Sequence, residues 1–79
     1  MPLDDYISVD PAICHGKPCF KGTRIMVATV LELLESGAGM ADIRKAYPGL
    51  IRQHVQAALH VAHRVLDQGR FTAFHATAR

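Results

Sequence analysis

The sequence predicts a mainly α-helical fold: a three-helix bundle carrying a helix–turn–helix, preceded by a short N-terminal β-hairpin. Three observations predict it. Apolar residues recur at helical spacing in three segments after Met26. Pro2, Pro11, Gly16, Pro18 and Gly22 interrupt everything before that point. The length of 79 residues leaves room for one domain. That domain is placed at residues 1–69, with 1–26 as the β element and 27–69 as the helical bundle. Residues 70–79, RFTAFHATAR, lack sustained periodicity and are expected to form a flexible tail, the alternative being a segment that orders on a partner through Phe71 and Phe74.

In the first segment, Tyr6, Ile7 and Val9, then Ile13, Cys14, Cys19 and Phe20, suit short extended stretches. Asp10-Pro11 and His15-Gly16 are turn signals between them. A first helix is expected from Met26 or Val27 to Ser36, because Val27, Val30, Leu31 and Leu34 fall at i, i+3, i+4 and i+7. Thr23 stands near its entrance as a cap, and Gly37 and Gly39 end it. Leu33 lies off that stripe, so this helix is either deeply covered or in contact with a partner chain. A second, short helix runs from Met40 to Ala46 or Tyr47, with Met40, Ile43 and Tyr47 on its inner side. Pro48-Gly49 suits the central positions of a type II turn. The third helix, from Arg52 to Leu66 or Gln68, has the clearest pattern. Val55, Ala58, Leu59, Ala62, Val65 and Leu66 form its inner stripe, and Gln53, Gln56, Ala57, His60, Arg64 and Asp67 its outer one. No Ser, Thr, Asp or Asn precedes this helix, so its start is expected to be weakly capped.

Composition excludes several function classes. Hydrophobic residues make up 49% of the chain, too many for a disordered protein. No apolar run approaches the roughly 20 residues that span a bilayer. The acidic start, Met1-Pro2-Leu3-Asp4-Asp5, predicts no signal peptide and a cytoplasmic location. There, Cys14 and Cys19 are expected to be free thiols. With no Trp, 2 Tyr and 3 Phe, a stacking platform for single-stranded nucleic acid is disfavoured. The net charge of +2 is small, but it is unevenly placed: residues 1–22 are net negative, whereas 40–66 carry Arg44, Lys45, Arg52 and Arg64 against Asp42 alone. Such a basic segment suits a polyanion.

The constellation with the most chemistry is the helix–turn–helix. A short helix, a Gly-containing turn and a longer amphipathic helix make up that motif, whose last helix can enter the DNA major groove. Gln53, Gln56, His60 and Arg64 supply the hydrogen-bonding groups such a helix needs, since Gln pairs with adenine and Arg with guanine. Arg44, Lys45 and Arg52 are placed to bind phosphates. The competing interpretation is an ordinary solvated face on a small bundle. Zinc is disfavoured: Cys14 and Cys19 have no second Cys pair, and His60 and His63 project about 60° apart on their helix. A phosphate cradle around Gly16, Gly22, Lys17, Lys21 and Arg24 lacks the order of a P-loop. No nucleophile, paired-carboxylate or metallohydrolase motif is present, so no enzyme activity, catalytic residue or cofactor is expected.

The stretch CHGKPCFKGTRI at 14–25, with Ala41-Asp42-Ile43, Tyr47-Pro48 and VQAAL at 55–59, resembles the bacterial and archaeal domain-of-unknown-function family 433. The likeness runs over about residues 6–66. It implies a homeodomain-like helix–turn–helix behind a short β element. It also implies the role of an antitoxin that neutralises a PIN-like toxin and represses its own operon. Many members carry Ser or Thr before the second and third helices, where this chain has Gly39 and Ile51. The expected partners are therefore operator DNA in double-stranded form, a PIN-like toxin and a second copy, in a homodimer formed through the N-terminal strands or the Leu33 side of the first helix. The alternative is a protein-interaction module that binds a partner nuclease without binding DNA.

Overall fold

The computed structural model describes residues 5–69. The tail at 70–79 lies outside them. The order of elements is β1 (Ile7–Ser8), β2 (Cys19–Phe20), α1 (Val27–Glu35), α2 (Met40–Ala46) and α3 (Arg52–Gln68). The expected architecture is present: three helices behind a short two-stranded hairpin. β1 and β2 are antiparallel, with Ile7 opposite Phe20 and Ser8 opposite Cys19. Among the described residues no helix is long and apolar enough to cross a membrane.

The connection between the strands curls through a left-handed turn. Cys14, His15 and Gly16 have φ of 53°, 57° and 78°. This region suits Gly and is costly for Cys, so the turn needs outside support. A disulfide between Cys14 and Cys19 supplies it, with the Cα atoms 6.9 Å apart. The expectation of two free thiols is thereby overturned. Composition could not show that the left-handed turn folds Cys14 back beside the strand that holds Cys19.

Thr23 acts elsewhere than expected. Its Oγ1 donates to the Phe20 carbonyl at 2.8 Å and accepts from the Ile25 N–H at 3.0 Å, closing the β2–α1 corner. The residue at the helix entrance is Met26, without a side-chain cap. At the other end of α1, Ala38 N–H bonds to Leu33 O and Gly37 N–H to Leu34 O, both at 3.0 Å, and Gly37 has φ +97°. This is a Schellman stop, and it requires glycine at the left-handed position. The Pro48-Gly49 turn closes by Leu50 N–H to Tyr47 O at 3.0 Å. Gly49 lacks the positive φ that a type II turn demands, so that expectation fails.

The two helix starts are capped after all, from the third helical residue. Asp42 Oδ2 accepts the Gly39 N–H at 2.9 Å, and His54 Nδ1 accepts the Ile51 N–H at 3.1 Å. Each supplies the reaching-back half of a capping box where the preceding residue has no polar side chain. The core consists of Phe20, Val27, Val30, Ile43, Leu50 and Ala58, all fully or nearly fully buried. Leu33 packs partly against it, so part of the off-stripe side of α1 is covered by the chain's own core. α3 rests on α1 and β1.

Candidate DNA-binding face

All seven residues singled out for DNA are exposed: Arg44 and Lys45 at the end of α2, and Arg52, Gln53, Gln56, His60 and Arg64 along α3. None of their side chains forms a hydrogen bond or ion pair with another described residue. At about 100° per residue, Gln53, Gln56, His60 and Arg64 fall within roughly 80° of arc, one stripe along the helix. Arg52 opens the same helix, and Arg44 and Lys45 end the one before it, so three cations flank the Tyr47–Ile51 turn. This arrangement suits a duplex: hydrogen-bonding groups in a row for base edges, and cations beside the turn for phosphates. The His60 and His63 rings stand 6.3 Å apart, tilted by 47°. Among the described residues no group of three or more His, Cys, Asp or Glu side chains is placed to hold a metal ion.

The inner side of α3 differs from the expected one. Ala57, assigned to the outer stripe, is fully buried beside Ala58. Leu59, Val65 and Leu66, assigned to the inner stripe, are 51%, 61% and 65% exposed. The buried and half-buried set is His54, Val55, Ala57, Ala58, Val61 and Ala62. The physical cause lies at the start of the helix. Small alanines let α3 approach α1 closely, and His54 wedges between two aromatic rings. Its imidazole meets Tyr6 at 5.3 Å and Phe20 at 5.5 Å, edge-on in both cases. These contacts rotate the helix so that the His54–Ala58 side faces the core. An apolar stripe wider than the core leaves its far flank in water.

His54 is the structural residue that sequence reasoning missed. Its position three residues after Ile51 was the available signal, because a side chain there can reach back to the helix start. A surface groove also opens between β1 and the end of α3, lined by Ile7, Val9, Pro18, Val61 and Val65. Arg64 and Gln68 form its polar lip, so Arg64 borders both the groove and the polar stripe.

The comparisons with known proteins agree with this architecture. The family model described as "Protein of unknown function (DUF433)" matches residues 7–62. The chain belongs to that family. It is similar to a solved structure of a DUF433 member protein from Anabaena variabilis, at 30% identity and a TM-score of 0.74. The similarity covers 84% of this chain and 65% of the other, so this chain spans slightly under two thirds of that protein. No curated protein matches.

Proposed function

We propose that this chain is an antitoxin-like DNA-binding protein that represses its own operon and neutralises a PIN-like toxin. The carrying observation is the polar stripe of α3: Gln53, Gln56, His60 and Arg64 form a row of exposed, unengaged hydrogen-bonding groups. In this reading the stripe faces base edges, while Arg44, Lys45 and Arg52 hold phosphates. One helix reads only a few base pairs, so two copies are needed for operator-level specificity. The antitoxin part follows from the resemblance to the family and from the apolar surface left open on α3 and beside β1.

The test is titration of the DNA upstream of the gene against a scrambled duplex, across salt concentration. Preference for the native duplex is expected. Three phosphate contacts per copy would give a log–log salt slope of about −3 per copy. A variant with Gln56→Ala, His60→Ala and Arg64→Ala should lose the preference and keep most of the non-specific binding. Equal, weak binding to both duplexes by the unmutated chain overturns the DNA reading.

One observation favours a second reading, in which the domain binds a partner nuclease and no DNA. Leu59, Val65 and Leu66 give α3 more exposed apolar surface than a solvated helix needs. If the triple variant still inhibits a co-expressed neighbouring nuclease, and the unmutated chain ignores DNA, this second reading is selected.

A further inference from the structure

α3 has three faces, each roughly a third of a turn from the next. His54, Ala57, Ala58 and Val61 face the core, and Gln53, Gln56, His60 and Arg64 form the polar stripe. The third face holds Val55, Leu59, Ala62 and Leu66, which share about 60° of arc. Val55 and Ala62 are half-buried, and Leu59 and Leu66 are more than half exposed. Their spacing is four, three and four residues, the alternation of a coiled-coil seam. Val55 also packs against the edge of the core, so the open part of this face is Leu59, Ala62 and Leu66.

We infer that this seam pairs with the same seam of a second copy, with the two α3 helices antiparallel about a two-fold axis. The spacing is self-complementary: in one register, Val55 lies opposite the partner's Leu66, and Leu59 opposite the partner's Ala62. The ends agree in charge. In that register Arg52 stands level with the partner's Gly69, its long side chain has the partner's Asp67 two residues away within reach, and the two-fold axis repeats that pair. A parallel arrangement would instead set Arg52 against the partner's Arg52. Ala62 at the middle of the seam lets the axes approach to about 8 Å, the lower end of helix-packing distances.

The pairing does not depend on the DNA reading, and it restricts that reading. Two α3 axes about 8–10 Å apart turn their polar stripes outward, one on each flank of the pair, because each stripe lies about a third of a turn from the seam. They cannot occupy half-sites about 34 Å apart, as separate recognition helices do. Side by side the two helices are also wider than the roughly 12 Å major groove, so a dimer held by this seam has to engage a duplex with one α3 at a time.

The experiment is the mass of the full chain in solution, by sedimentation equilibrium from about 1 to 100 μM. Twice the 8.7 kDa chain mass is expected at the upper end. Leu66→Glu should raise the dimer dissociation constant by about tenfold or more, with unchanged helical circular dichroism. Arg52→Asp alone should weaken pairing, and Arg52→Asp with Asp67→Arg should restore it, because the exchange preserves the cross-pair. A monomer throughout the range overturns the inference and leaves the face to another kind of partner. So does a dimer that Leu66→Glu leaves intact, or a charge exchange that fails to restore pairing. Duplex binding is read separately, so pairing without DNA binding removes the proposed function and leaves this inference standing.

Discussion

The two halves of α3 carry the same apolar stripe and meet different fates. From Arg52 to Ala58 the helix is anchored: His54 caps its start and touches two rings, and Ala57 and Ala58 are sealed against the core. From Leu59 to Gln68, its large apolar side chains stand in water at Leu59, Val65 and Leu66. Small residues in the first half permit close approach, and among the described residues the core ends before it covers the second half. A periodic stripe thus specifies that something must cover it, and leaves open whether the cover is the same chain.

The strongest way to break the anchored half is to remove the ring beneath it. Phe20 is fully buried and meets His54 edge-on. Phe20→Ala should cost about 3–5 kcal/mol. A domain of this size has roughly 3–5 kcal/mol to lose. The expected outcome is loss of the cooperative thermal transition by circular dichroism at 222 nm. A variant that still melts cooperatively within a few degrees of the parent would show that the aromatic wedge does not hold α3.

Ala58→Leu tests the same half by overfilling it. Ala58 has no exposed surface and sits in the core cluster. The added carbons have to displace packed neighbours, at about 1–3 kcal/mol. Urea denaturation should show a lower midpoint. An unchanged midpoint would mean that α1 and α3 are packed less closely than described.

His54→Ala removes a cap and two ring contacts, and should cost about 1–2 kcal/mol. His54→Glu separates the two contributions. Glu at the third helical position keeps an acceptor for the Ile51 N–H and loses the aromatic contacts. Its stability should fall between those of the parent and His54→Ala. If the two variants are equally stable, the hydrogen bond contributes nothing and the rings do all the anchoring.

These residues also show how much was legible beforehand. Helix positions were, because a 3.6-residue period and the breakers Gly37, Pro48 and Gly69 act locally. The polar stripe was legible for the same reason, and all seven candidate residues lie exposed on α2 and α3. Helix rotation was not, because it depends on Tyr6 and Phe20, which are far from His54 in sequence. The Cys14–Cys19 disulfide depends on three consecutive left-handed residues, only one of them glycine. The Ser and Thr expected before α2 and α3 were missing, and Asp42 and His54 took over from inside the helices. In each case a single tertiary or reaching-back contact decided what local pattern could not.

The smallest effect belongs to the open half, and it is the most diagnostic. Leu59→Gln and Leu66→Gln replace good helix formers with another good one, at positions more than half exposed. In a dilute monomer each should change stability by no more than about 0.5 kcal/mol. The measurement is urea denaturation at submicromolar protein and again at about 100 μM. Equal stability at low concentration, with a deficit appearing only at high concentration, is the expected result. It would mean that the second half of α3 gains its cover by association. A deficit above about 1 kcal/mol that persists at low concentration would mean the cover comes from the same chain. The contrast between the halves would then be one of sequence distance, with both halves belonging to a single core.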